Sequence, residues 1–419
     1  MKTIIKVLLI TLIVAVLDQC KKYDPLVTIP DNNFLNALIE LGVDKDGDGI
    51  ISKVEAEEVT FLEVGERNIS DLKGIEAFVN LDTLRCSGNK LTSLNLSKNS
   101  LILYLNCWGN LLTSLDVSNC PELRSLHCFD NPLKSLNVSD NPELTQLNCN
   151  NNSLTSLDIS YNPVLYDLDC GSNSLTSLDV SNNPALTGLG CYSNLLTILD
   201  VSNNSALTGL SCDENLLANL DVSNNPALRY LSCSDNSLTS LDVSNNIALT
   251  ALECSDNLLT NLDISNNLLL SKLGCSENHL TSIGVSSHPE LVYLFCAGNL
   301  LTSLDVSNNP ALRIFFCDNN SLTSLDISNN PALSSLKCEG NILTSLDVSN
   351  NPALLFFNCS NNLLFSLNVS NNSEIVKLTL VSMPSLYEVC VWTMPFPPTG
   401  VTVDTTDSPN VYFTTDCSK

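Results

Sequence analysis

Residues 144–163 read LTQLNCNNNSLTSLDISYNP, and the same sentence returns every 21 residues with little change. One column holds Cys86, Cys107, Cys128, Cys149, Cys170, Cys191, Cys212, Cys233, Cys254, Cys275, Cys296, Cys317, Cys338 and Cys359. A second column holds Asn at each place from Asn89 to Asn362. A period near 20 predicts a solenoid, in which each unit hides its apolar edge only by stacking on its neighbours. The unit nests: Leu144, Leu147, Cys149 and Asn152 are echoed by Leu154, Leu157, Ile159 and Asn162. Leu147/Cys149 and Leu157/Ile159 alternate with a two-residue rhythm, which is strand geometry, and neither half has room for a helix. Each coil is therefore expected to carry two short strands, with Asn152 and Asn162 turning the corners.

The pattern LxxLxCxxNxL resembles the conserved segment of leucine-rich repeats. Its echo LTSLDVSNN is similar to the nested 21-residue bacterial class called IRREKO. The resemblance spans about residues 81–373 and implies a binding scaffold, since leucine-rich repeats are mostly that. The expected fold is an all-β leucine-rich-repeat solenoid of about 14 two-stranded coils. Two halves of equal spacing should give faces of equal width and a nearly straight stack. The expected divisions are 1–20 signal peptide, 21–58 linker and helical calcium module, 59–80 N-terminal cap coil, 81–374 solenoid and 375–419 β cap.

A net charge of -26 argues against nucleic acid or an anionic membrane face as partner. Fourteen of the 18 Cys stand at an inward Leu position, where a thiol is small apolar filler; no His or second Cys completes a metal set. Cys120 stands in an Asn place and is expected to be a buried free thiol.

Lys2 and Lys6 precede an apolar run over residues 7–17, too short to span a bilayer, which reads as a signal peptide. Leu17-Asp18-Gln19-Cys20 resembles a bacterial lipobox, which implies lipid attachment at Cys20, although Asp18 and Gln19 stand where small residues are usual. Residues 30–42 are expected to be helical, with Phe34, Leu35, Leu38, Ile39 and Leu41 forming an apolar stripe that Asp31 can cap. The stretch DKDGDGIISKVE, residues 44–55, then resembles an EF-hand loop. Asp44, Asp46 and Asp48 supply single oxygens, Gly49 makes the turn, Ile50 offers its carbonyl, Ser52 acts through water and Glu55 clamps with two oxygens. One structural calcium ion is expected there.

Outward positions on the first face vary: Arg85, Asn106, His127, Asp169, Gly190, Glu253, Phe295, Lys337. On the second face Asp recurs, as at Asp158, Asp179, Asp200, Asp221, Asp242 and Asp263, with Ser two residues later. Stacked carboxylates repel, so each Asp is expected to accept hydrogen bonds from its own Ser; a string of divalent cations is the weaker alternative, because a flat ladder diverges. Two apolar groups interrupt the first face: Tyr104, Trp108 and Phe129, and then Tyr293, Phe295, Ile314, Phe316 and Phe356. Grouped exposed aromatics mark a contact site unless another segment covers them. Phe315 and Phe357 fall at inward places. Beyond residue 373 the rhythm decays. Residues 401–403 and 411–413 are expected to close the end as a strand pair, with Cys390 bonded to Cys417 if the protein is exported.

These readings favour a non-enzymatic, monomeric scaffold, exported to a bacterial cell envelope and lipid-anchored to the outer membrane or cell surface. It would present its variable face to a protein or a glycan, and touch a membrane only through Cys20. A structural envelope component is the alternative. An enzyme comes third: His127, His279 and His288 lie far apart, and the Asp ladder is too uniform to single out a glycosidase-like pair.

Overall fold

The computed structural model describes residues 24–417, so the signal segment and Cys20 lie outside the described residues. The chain forms two compact units that divide after Leu133. In the first, helix α1 (Asn32–Glu40) is capped by Asp31, whose carboxylate accepts from the Asn33 and Phe34 N–H groups. Helix α2 (Lys53–Glu57) starts with a reciprocal Ser52/Glu55 capping box. Strands Phe61–Glu63, Thr83–Arg85, Tyr104–Asn106 and Ser125–His127 follow, parallel and in register. In the second unit thirteen strands, from Gln146–Asn148 to Thr402–Asp404, extend one parallel ladder. The solenoid thus has about seventeen turns rather than 14. The added rungs are Phe61–Glu63 before the Cys repeats and Lys377–Thr379 and Thr402–Asp404 after them.

Each strand is three residues long, and from Phe61–Glu63 to Glu388–Cys390 the central Leu, Phe or Val is buried. Inside each coil the apolar positions are buried, as at Leu207, Leu210, Cys212, Leu217, Leu220 and Val222. Phe315 and Phe357 are buried in this core as expected. All fourteen column thiols and Cys120 are buried, and none of them is disulfide-bonded.

The Asn column is the hydrogen-bonding spine. Asn215 Nδ2 donates to the carbonyls of Cys191 at 3.0 Å, Cys212 at 3.1 Å and Asp213 at 3.0 Å. Its Oδ1 accepts from Leu196 N–H at 3.0 Å, in the preceding coil. The residue before the column Asn is left-handed in most coils, with φ of 51° at Glu214 and 62° at Gly340. That bend turns the carbonyls toward the amide and explains the glycines at 88, 109, 298 and 340, where φ is also positive.

The second half of the coil corrects the two-strand expectation. Among the described residues it forms strands only at Ser366–Asn368, Glu388–Cys390 and Tyr412–Thr414, which pair in parallel. Elsewhere a second buried Asn takes the place of the ladder. Asn204 Nδ2 donates to Val180 carbonyl at 3.0 Å and Asn183 carbonyl at 2.9 Å in the preceding coil. Val180 carbonyl, the acceptor a backbone ladder could use, is already claimed. Past Asn372 the next coil has no such Asn, and there Val369 N–H pairs directly with Cys390 carbonyl at 2.8 Å. Cys120 and His288 replace Asn in this column; buried His288 reaches Ile264 carbonyl through Nε2 at 3.1 Å and Val285 carbonyl through Nδ1 at 3.3 Å. The two halves are therefore not equivalent strands, and the equal-face premise for a straight stack falls away.

The closing strand pair is also corrected. Thr402–Asp404 joins Lys377–Thr379 on the main ladder, whereas Tyr412–Thr414 joins Glu388–Cys390 on the other side of the coil. Together they make one more coil rather than pairing with each other. Cys390 and Cys417 are disulfide-bonded and fasten the tail to it.

Candidate functional site

The acidic loop is built as its sequence requires. Asp44 Oδ1 accepts from Gly47 N–H at 2.8 Å, and Oδ2 from Gly49 N–H at 3.0 Å. Gly47 and Gly49 have φ of 73° and 83°, the left-handed turn that lets the backbone fold round the carboxylates. Asp44, Asp46 and Asp48 bring one oxygen each within 4.8 Å of one another. Glu55 is held at the loop by Lys45 N–H at 2.7 Å and Ser52 N–H at 2.9 Å. Burial pushes the Glu55 carboxyl upward, but these backbone bonds and the Ser52 hydroxyl outweigh it, and the net shift is downward. An ionised, all-oxygen donor set of this kind fits a hard divalent cation. Two features depart from the EF-hand pattern: α1 stops at Glu40, before the loop, and Ile51 carbonyl accepts from Val27 N–H at 2.8 Å instead of pairing with a second loop.

The register of the ladder decides which outward side chains meet. In the first unit Arg85 lies over both Phe61, at 5.6 Å, and Tyr104, at 5.2 Å. Tyr104 contacts His127 at 5.5 Å, and Trp108 stacks on Phe129 at 5.2 Å with rings 4° from parallel. Sequence grouping found Tyr104, Trp108 and Phe129 but missed Phe61, because its strand was read as part of a cap.

In the second unit Tyr293 and Phe295 sit directly beside Ile314 and Phe316. Phe295 meets Phe316 edge-on at 5.3 Å, and Lys337 Nζ lies 4.4 Å above the Phe316 ring. Phe356 is half exposed, across Ser335 from Ile314. The structure thus brings the five predicted residues onto four consecutive rungs. Asp318 and Glu339 flank them; burial raises both carboxyls, while Lys337 pulls them partly back. Lys337 was legible as an outward position, but its contact with the Phe316 ring needed the register.

The second-face Asp residues bond within their own turn. Asp200 Oδ1 accepts from Ser202 N–H at 2.9 Å, and the same contact recurs at Asp158, Asp179, Asp221, Asp242 and Asp263. The Ser202 hydroxyl and then its N–H hold the Asp200 carboxyl below its usual range. These exposed oxygens are occupied locally and do not converge on a common point in the way the Asp44 loop does.

No family model matches the chain, and no curated protein matches it. Among solved structures, the functional domain of InlJ from Listeria monocytogenes, which includes a cysteine ladder, is 35% identical with a TM-score of 0.73, over 86% of this chain and 75% of that one. A leucine-rich-repeat protein of Leptospira interrogans is 20% identical, TM-score 0.67, over 84% and 97% of the two chains. An internalin of Listeria monocytogenes, inlF, is 21% identical, TM-score 0.65, over 80% and 98%. The last two establish likeness of fold alone. The thiol column of this chain is the feature it shares in words with the first.

Proposed function

The chain belongs to the leucine-rich-repeat proteins, and on that ground we propose that it is a non-enzymatic binding scaffold, exported, that presents its ladder face to a protein partner. The observation that carries this reading is the pair Phe295–Phe316, with Tyr293, Ile314 and Phe356 around it, on the outward side of a rigid ladder. Aromatic side chains placed so are enriched in interface cores. The outward positions vary while the core is uniform, which lets one frame carry a specific surface. A glycan partner is the narrower alternative within the same reading. The repeat belongs, on its period and echo, with the nested 21-residue class.

The Cys390–Cys417 disulfide supports export, because such bonds persist in oxidising compartments. No helix of the described residues is long and apolar enough to cross a membrane. Attachment at the cell envelope would rest on a lipid at Cys20. Asp44, Asp46, Asp48, Ile50, Ser52 and Glu55 would hold one calcium ion, which supplies positive charge to three clustered carboxylates and fixes the loop against α2. The deciding experiment is a pull-down from native surroundings with wild type and with F295A/F316A. A defined protein recovered by wild type and lost by the variant supports the scaffold. No partner in either sample would favour a structural envelope component instead.

A further inference from the structure

Residues 134–417 contain six Lys and Arg against twenty-seven Asp and Glu. Four of the six, Lys272, Arg313, Lys337 and Lys377, lie on or next to the rungs that carry Tyr293, Phe295, Ile314, Phe316 and Phe356. In register, Lys272 lies beside Tyr293, Lys337 beside Phe316, and Lys377 beside Phe356. Lys272 is tied to Glu253 at 2.5 Å, but Arg313, Lys337 and Lys377 make no ion pair among the described residues. A cleft of about 100 Å³ is lined by Ser335, Lys337, Phe356, Asn358, Lys377 and Thr379.

We propose that this patch docks an acidic polypeptide segment with an apolar anchor: the anchor packs on Phe295, Phe316 and Phe356, and its flanking carboxylates pair with Lys337, Lys377 and Arg313. The inference rests on the scaffold reading above and names the chemistry of its partner. Charge placement decides among the occupants. A basic segment would be drawn to carboxylate-lined coils such as those of Glu214, Asp235, Asp256 and Glu277, not to the stretch of this unit where its few cations collect. A neutral glycan has no use for three cations without carboxylate contacts. An acidic segment is repelled by the rest of the unit and attracted here, so the same charges supply both steering and register. Asp318 and Glu339 draw on the charge of Lys337, and Asp404 on that of Lys377, so the ligand's carboxylates share these cations with them.

The test uses the full chain, immobilised, to select from a display library of short random peptides. Recovered peptides are synthesised and titrated by fluorescence anisotropy against wild type, K337E/K377E, F295A/F316A and a distant control, K134E. Circular dichroism confirms that each variant is folded. Recovered peptides should carry Phe, Leu, Ile or Trp among Asp and Glu. Affinity should fall by at least about tenfold in both double variants, change less than about twofold in K134E, and weaken as salt rises. Selection of basic or neutral peptides, no enrichment, or binding unchanged in K337E/K377E would overturn the proposal. So would retention of heparin or of phosphatidylglycerol vesicles, lost in K337E/K377E, with no acidic peptide bound. If the pull-down still yields a partner that needs Phe295 and Phe316, the scaffold reading survives and only the acidic chemistry fails.

Discussion

Replacing Asn215 by Ala isolates what one rung of the Asn spine contributes. The side chain makes four contacts, three from Nδ2 and one to Oδ1. The losses are unequal. Cys191 carbonyl keeps Asn194 Nδ2 at 3.1 Å, Cys212 carbonyl keeps Asn236 Nδ2 at 3.0 Å, and Asp213 carbonyl keeps Ser193 N–H at 2.8 Å. Only Leu196 N–H, in a fully buried residue, loses its single partner. An orphaned buried N–H costs about 1–3 kcal/mol, and two lost amide donations add about 1 kcal/mol each, so the loss should be about 3–5 kcal/mol. In a stack of repeats the damage is felt by nearest neighbours first. Urea unfolding should show a lower midpoint, and hydrogen exchange at Leu196 should accelerate by about two to three orders of magnitude. The control is Asn203→Ala: Asn203 is exposed, and its only side-chain contact is a 3.4 Å bond to Ser181 carbonyl, so it should stay within about 0.5 kcal/mol of wild type. If Asn215→Ala behaves like Asn203→Ala in both assays, the spine is not what joins the coils.

Two further predictions concern groups that the fold positions. Isothermal titration of the mature protein should show one calcium bound, weakened at least about tenfold by Glu55→Gln, which removes a bidentate charge; no uptake at millimolar calcium would remove the loop assignment. The column thiols should resist labelling in the native state, because burial pushes Cys107 and Cys191 up to about 12 and leaves them protonated at neutral pH. At pH 9 native labelling should still be far slower than labelling of the denatured protein, because burial keeps the thiols protonated and the reagent out, while denaturation should release the thiols to react as ordinary thiols. Fast native labelling at most Cys would place them outside the core.

The sequence by itself determined the period, the inward Leu and Cys columns and the Asn corners. Each is a local pattern repeated at fixed spacing, and stacking only copies it. Residues 44–55 were legible for the same reason, since a twelve-residue loop carries its own donors at fixed steps. It misjudged the second half of the coil. LTSLDVS has strand periodicity, but whether its carbonyls pair with backbone or with the buried Asn of the next coil is a contact between residues 24 positions apart, as for Val180 and Asn204. It likewise read residues 401–403 and 411–413 as a closing strand pair, because nearness in sequence favours that; the structure puts them on opposite sides of one coil, where each finds a ready ladder. The candidate site divides the same way. Tyr293, Phe295, Ile314, Phe316 and Phe356 could be grouped from their column positions. That Lys337 covers Phe316, that Arg85 bridges Phe61 and Tyr104, and that cations collect on these coils became physical facts only once register set which side chains lie one strand spacing apart.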